Sequence, residues 1–406
     1  MQSSRCKPCR SIERGIPLSS RSAPVMSTAG KFGWLVMVLA VLAGACSSDP
    51  GGCEEADLLT VPPVSESDYE VILPLGNLAP PGHTIPTDHI YYMLPREGEI
   101  TREVEVRAPG DIVITRVEET AHVVGGERSF SDFSVTFSPC SDRILKFGHL
   151  TSITNAVRTA TGGSDDEFCN EYGLGGTTYR TCSFSLDLEV AAGTVVGTAG
   201  GIVDGSAALD LWGFDLSTQA LTWANPTRYS TDGDMLLHVV CPLSLFADDA
   251  RSLQTSRLGG HSGEFRTAEP ICGEVNQDLA GTAQGNWFTG VATTMHDGWD
   301  NHLALVHDNV DPSTAAISIG GVFSEPGVWL FTPGPSGQIN RDFSSVKPDG
   351  TVYCFEGARN AQPGGRGFDG RLLVQLVSGT ELMIERQDAS CTTDDLTFNT
   401  PLSYRR

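Results

Sequence analysis

The sequence predicts an all-β protein made of two antiparallel β domains. Short runs of β-forming residues alternate with polar ones and are cut by turn residues at close intervals, which is the period-2 signature of half-buried strands. The 45 Gly and 23 Pro among 406 residues, with few long stretches of helical apolar period, exclude a helical bundle. Hydrophobic residues at 40% and charged residues at 19% give a globular composition, not a disordered one. The length suffices for two domains of ordinary size.

Taken in order, Ser47–Glu66 is polar, acidic and Pro-containing, and reads as a tether over 46–67. The first domain is expected over 68–225. Its strands are Glu103–Arg107 (EVEVR), Asp111–Val117 (DIVITRV), Phe133–Phe137 (FSVTF) and Ser183–Val190 (SFSLDLEV), with a helical turn or loop over Leu150–Val157. A boundary near Asn225–Thr227 opens a second domain, sandwich or barrel-like, over 226–406. Its strands are Met235–Val240, His302–Val306, Ala315–Ile319, Val328–Phe331, Thr351–Phe355, Leu372–Leu376 and Glu381–Glu385. No internal repeat of fixed period is present.

Lys+Arg number 27 against 50 Asp+Glu, for a net charge of -23. Such a surface repels phosphate backbones, so no nucleic acid is expected as a partner. An anionic membrane is reached only through a covalent anchor, and the N-terminus supplies one. Phe32–Ala45 (FGWLVMVLAVLAGA) is apolar, follows Lys31 and ends at Cys46. It is short of the ~20 residues that span a bilayer, and its charged start and small final residues make it a secretory signal. Ala43-Gly44-Ala45 before Cys46 resembles a bacterial lipobox, with Ala43 where Leu is usual; the cysteine would be lipidated and become the new N-terminus. Residues 1–45 form the signal region. Residues 1–25 carry no apolar core, so a start at Met26 gives a signal of normal length and leaves Cys6 and Cys9 outside the protein. The expected location is the cell envelope, with the periplasmic and outer surfaces both open.

Beyond Cys46 the exported chain keeps eight cysteines, an even number that reads as disulfides. No C-x-x-C pair occurs among them, which argues against zinc ribbons and redox motifs. Cys169 and Cys182 flank the Gly-rich stretch Tyr172–Thr181 and are expected to pair. Cys241 with Cys272 and Cys354 with Cys391 follow sequence order, and Cys53 with Cys140 is what remains. Connectivity cannot be fixed from sequence alone.

The segment Gly82–Tyr91 (GHTIPTDHIY) places two histidines and a carboxylate within seven positions. Imidazole and carboxylate bind zinc at ~2.0–2.2 Å, and a catalytic site needs three such ligands and an open position. A His–Asp cluster in a loop also serves as a hydrogen-bonded turn. Further along come Val106–Val113 (VRAPGDIV), Phe147–Ile153 (FGHLTSI), Val190–Gly200 (VAAGTVVGTAG) and Ala208–Trp212 (ALDLW). In this order the set resembles the lysostaphin/LytM-type zinc metalloendopeptidases, which cut peptidoglycan cross-bridges. The resemblance covers 73–215 and implies a compact antiparallel β domain with a groove, and zinc as the cofactor.

Carried over by that resemblance, His83 and Asp88 take the places of the first two zinc ligands. Four residues separate them where the family has three, so a loop or bulge must absorb the extra residue, or His89 contributes instead. His149 matches the histidine that orients water or stabilises the oxyanion. The family's closing His-x-His strand corresponds to Ala208–Trp212, where Asp210 takes the third ligand position; shifted by two residues, Asp210 replaces the first His and Trp212 the ligand. The His-x-His pair is absent in either register. Two carboxylates neutralise a metal more than imidazoles do and acidify its water less, and loss of a general acid/base costs ~10²–10⁴-fold in rate. The expected function is therefore that of a lipid-anchored envelope protein with a degenerate peptidase-like domain, binding cell-wall peptide or an envelope protein. The alternative is a metal-dependent endopeptidase acting on peptidoglycan cross-links, with His83, Asp88 and Asp210 on zinc and His149 stabilising the transition state. A third reading has the C-terminal barrel binding a small ligand.

Other polar clusters read as structural. His122 precedes Gly125-Gly126 at a strand edge. His302 and His307 are five apart and point to opposite faces of one strand. Asp308-Asn309 and Asp311-Pro312 read better as turn chemistry than as a calcium loop. Gly281–Phe288 resembles the Gly-x-x-Trp opening of small β-barrels, and a Gly-rich turn feeding an aromatic core residue explains it equally well.

Overall fold

Residues 53–54, 58–162, 169–174, 176–203, 205–229, 235–289, 294–295, 298–362, 364–392 and 395–406 are described by a computed structural model. The signal region, Met26, Cys46 and residues 47–52 and 55–57 of the expected tether lie outside the described residues, while Leu59 and Val64 within that stretch are fully buried. The architecture is all-β and antiparallel. The strands run β1 (Ile72–Leu73), β2 (His89–Met93), β3 (Arg96–Glu97), β4 (Ile100–Thr101), β5 (Val104–Arg107), β6 (Ile112–Val124), β7 (Glu127–Cys140) and β8 (Arg143–Ile153). After helix α1 (Asn155–Ala160) come β9 (Cys169–Leu174), β10 (Thr177–Val190), β11 (Val195–Ala199) and β12 (Ala208–Asp215). Helix α2 (Asp248–Thr255) lies in the connection to β13 (Gly285–Phe288), β14 (His302–His307), β15 (Ala315–Ile319), β16 (Gly327–Phe331), β17 (Tyr353–Glu356), β18 (Arg359–Asn360), β19 (Arg371–Ser378), β20 (Glu381–Gln387) and β21 (Leu402–Arg405).

The first sheet has ten strands in the order β1-β2-β12-β8-β7-β6-β10-β9, with β11 bridging β5 to β8. The second has nine, in the order β17-β19-β20-β21-β13-β14-β15-β16-β18. Alternation decides which side chains enter the core. In β7, Phe133, Val135 and Phe137 are buried against Leu145, Phe147 and Leu150 of β8. The β6–β7 hairpin closes through Gly125-Gly126, both at positive φ, the backbone that a two-residue turn between right-twisted strands requires.

The second sheet divides its faces between two cores. Ala304 and Val306 of β14, Ala316 of β15, and Val328 and Leu330 of β16 join the same hydrophobic cluster as the first sheet. Leu303, Leu305, Ile317, Trp329 and Phe331, their neighbours on the opposite face, pack against β19 and β20 in a second cluster. The larger cluster thus crosses the position near 225 where the sequence placed a boundary. Backbone hydrogen bonds from Leu59 to Leu245, Ile72 to Arg257 and Leu75 to Cys272 also tie the chain before β2 to the connecting segment.

Most expected strands are present, but several differ in extent. Strands β6 and β7 run well past Asp111–Val117 and Phe133–Phe137, because their outer halves are polar and carry no apolar alternation. Leu150–Ile153 still belongs to β8, and the helix starts at Asn155. Met235–His238 is a turn of 3₁₀-helix instead of a strand: the buried residues Leu236 and Val239 are three apart, the spacing of that helix and not of a strand. The four disulfides are Cys53–Cys140, Cys169–Cys182, Cys241–Cys272 and Cys354–Cys391. Asp308 accepts hydrogen bonds from the amides of Val310 and Asp311, and Asp311 from that of Ser313, which is turn chemistry as expected.

Candidate functional site

Strand β2 sends Ile90 and Tyr92 into the core and turns His89 and Tyr91 to the opposite face; β12 does the same with Leu209 and Leu211 against Asp210 and Trp212. The register pairs Tyr91 with Asp210 and His89 with Trp212, so these four side chains share one surface. Strand β8 contributes through a bulge. Its ladder pairs Phe147 with Val135 and Leu150 with Phe133, so Gly148 and His149 together oppose the single residue Ser134. His149 sits at φ +61°, an uncommon backbone for a residue with a Cβ. The extra residue keeps both Phe147 and Leu150 in the core and brings His149 to the face of Asp210. Without it, simple alternation would have sent His149 inward with Phe147.

Three carboxylates alternate with three imidazoles across five strands. Asp88 Oδ1 is 2.8 Å from His89 Nδ1 and accepts a second hydrogen bond from Trp212 Nε1 at 2.9 Å. Asp210 Oδ2 lies 3.4 Å from His89 Nε2 and 3.4 Å from His149 Nε2. On the far side, His149 Nδ1 meets Asp132 Oδ2 at 2.6 Å, and His122 Nε2 lies 3.4 Å from that same oxygen. Asp88, His89, Asp132 and Asp210 are buried. Withdrawal from water opposes a charge on His149, but the Asp210 carboxylate and the hydrogen bond and charge of Asp132 outweigh it and push its pKa up to about 9. Burial raises Asp132, and hydrogen bonds from His122 and His149 then carry it well below the usual carboxylate range. Burial, followed by the charge of Asp210, holds the Tyr91 phenol well above its ordinary value.

Beside this run lies a cavity of about 250 Å³. His83, Asp88, His89 and Trp212 line it, and Met295 and Trp299 from the connection between β13 and β14 also reach it. Lys146 of β8, opposite Trp212 in the register, holds its Nζ 4.1 Å from the centre of the indole ring. The cavity thus has Asp88 and His89, one end of the run, in its lining, and an aromatic plate with a cation over it at one wall.

The structure brings His149 and Asp210 into direct contact and reaches Asp88 through His89. His83 stands in a turn closed by two backbone hydrogen bonds with Ala79, its ring 5.4 Å from that of His89. His83, Asp88 and Asp210 do not converge on one point. One oxygen of Asp88 is taken by two N–H donors, and Asp210 faces two imidazoles. Among the described residues, no three His, Cys, Asp or Glu side chains are disposed to hold a metal ion. The residues carried over as ligands do not fit the zinc that the resemblance implies, and no chemical step is routed through it. Asp132 and Lys146 carried no signal in the sequence. The bulge did leave one: Phe147 and Leu150, both core residues three apart, break the alternation of a plain strand. Comparisons with protein-family models, with curated proteins and with solved structures find no match.

Gly148 keeps the wall in place. A Cβ there would lie 2.8 Å from Cζ3 and 3.0 Å from Cη2 of the rigid Trp212 ring. Gly148→Ala is expected to displace the indole and cost about 1–2 kcal/mol, read as a lower urea midpoint together with an altered near-ultraviolet circular dichroism spectrum. An unchanged spectrum would show that the ring has room to spare.

Proposed function

We propose that this chain is an exported, lipid-anchored protein of the cell envelope that binds a peptide of cell-wall chemistry in the cleft beside Trp212, without cutting it. One observation carries the reading. Of the side chains expected to grip a cation, Asp88 is hydrogen-bonded to His89 and Trp212 and Asp210 sits between the imidazoles of His89 and His149, while a cavity of about 250 Å³ stays open beside Asp88 and His83. Binding there needs neither a metal nor a general base, and a cavity walled by aromatic and Met side chains with a few polar groups is the usual form of a ligand site. The four disulfides accord with an oxidising compartment, and the acidic surface accords with a membrane approach through a lipid alone.

The test is calorimetry of the purified protein with soluble peptidoglycan fragments, before and after chelation, alongside metal analysis and mass spectrometry of the recovered fragments. Saturable binding that a chelator leaves intact, with fragments recovered whole, is expected. Stoichiometric zinc together with chelator-sensitive cleavage would overturn the proposal in favour of a hydrolase.

A further inference from the structure

We infer that the cleft selects a carboxylate: the free C-terminal end of a peptide whose last side chains are small and apolar, held by Lys146 across the face of Trp212. The inference rests on the peptide-binding reading above and adds which part of the peptide is recognised.

The distribution of charge leads to Lys146. The chain has nearly two acidic residues for every basic one, and several of its arginines pair with them: Arg102 meets Asp68, Arg116 meets Glu118 and Arg257 meets Glu66. Lys146 joins no ion pair among the described residues. Its contact is with the indole face, and among the described residues it is the one Lys or Arg that lines the cavity. Asp88, the carboxylate in the same wall, already accepts from His89 and Trp212. An ammonium in the wall of an otherwise acidic molecule, with the neighbouring carboxylate committed elsewhere, is complemented by an anion that the ligand brings.

The rest of the cavity describes what is attached to that anion. Ile85, Ile144, Phe214, Met235 and Met295 give it an apolar lining. Its volume falls just below the ~300–1,000 Å³ usual for ligand pockets, so it admits one or two residues and not a folded partner. A terminal carboxylate next to small apolar side chains matches both features. An acidic side chain in mid-chain would instead drag two polar backbone segments across the apolar lining.

Two probes in equilibrium titrations of the full protein test this: N-acetyl-alanyl-alanine and its C-terminal amide, each made with L- and with D-residues. Charge-assisted hydrogen bonds are worth ~1.5–3 kcal/mol, so the acid is expected to bind at least ~10-fold more tightly than the amide. In Lys146→Met, which keeps the apolar stem, that preference should disappear while the affinity for the amide holds, and amide binding itself reports that the variant is folded. Equal binding of acid and amide by the unsubstituted protein would overturn the carboxylate inference and leave peptide binding standing. So would binding of wall fragments when neither probe binds, or an acid preference that survives in Lys146→Met. If neither the probes nor the wall fragments bind, both the inference and the reading beneath it fall.

Discussion

Replacing His149 with alanine is expected to destabilise the protein by about 2–3 kcal/mol near pH 6. The imidazole stands between Asp210 and Asp132, both buried, and Oδ1 of Asp210 has no hydrogen-bond partner among the described residues. Removing one member of a buried charge pair costs ~3–5 kcal/mol, because the other charge is left without compensation. Here the ring keeps 40% of its side-chain surface in solvent while both nitrogens point at carboxylates, so screening reduces that cost. The pH dependence follows from the direction of each shift. The pKa of His149 is raised in the folded state, so its contribution is complete below the ordinary histidine value and fades as the pH climbs to about 9. Asp132 is lowered, so its contribution is complete above the ordinary aspartate value and fades in acid. The gap in stability between the unsubstituted protein and His149→Ala should therefore be widest between ~pH 4 and 6.5 and shrink toward pH 9.5. Denaturant melts across that range measure it. A gap that stays constant with pH would overturn this, since it would show that folding does not change the proton binding of His149 or of the carboxylates beside it.

The same histidine marks where the sequence could be read and where it could not. Period-2 alternation placed Val104–Arg107, the inner halves of β6 and β7, and most strands of the second sheet, because those residues face a core that rewards alternation. It missed the outer halves of β6 and β7, where Glu118, Thr120 and His122 face partly open space and no apolar rhythm forms. His149, Asp88 and Asp210 stood out as chemistry-bearing residues in ordered motifs. Their partners depend on register: Asp132 reaches His149 only because β7 lies beside β8, and His149 reaches Asp210 only because a bulge re-aims it. A strand's neighbours are set by long-range pairing, which local spacing does not encode. His89, weighed as a stand-in because the His83–Asp88 spacing is one residue too long, is the residue that faces Asp210. Lys146 escaped notice for a related reason. A lone lysine on a strand reads as a solvated face, and only its position opposite Trp212 gives it another meaning.

Trp287→Ala is expected to cost about 4 kcal/mol, more than the loss of His149, and the way that cost spreads would decide whether the two sheets behave as two domains. Trp287 is fully buried in the second cluster, donates its indole N–H to the carbonyl of Ala283 at 2.8 Å, and lies beneath the guanidinium of Arg406 at 4.4 Å. Arg406 in turn donates to the carbonyls of Gly379, Gln284, Leu279 and Thr282, so a cavity under it loosens the end of β21 and the turn before β13. Truncating a buried Trp or Phe to alanine typically costs ~3–5 kcal/mol. The next residue, Phe288, faces the other way, into the cluster shared with the first sheet. Strand β13 therefore has one face in each core, and slack on one side reaches the other. With the disulfides kept intact, native-state hydrogen exchange should show the β6–β7 hairpin and the β19–β20 hairpin losing protection by similar amounts in the variant, as one cooperative unit does. If β19–β20 opened several kcal/mol more easily while β6–β7 stayed protected, the halves would be energetically separate and the boundary expected near 225 would be a real one. Joint loss would instead mean that the cleft wall formed by Met295 and Trp299 is held by the stability of the whole described chain, so that a substitution as distant as Trp287 could weaken ligand binding without touching the site.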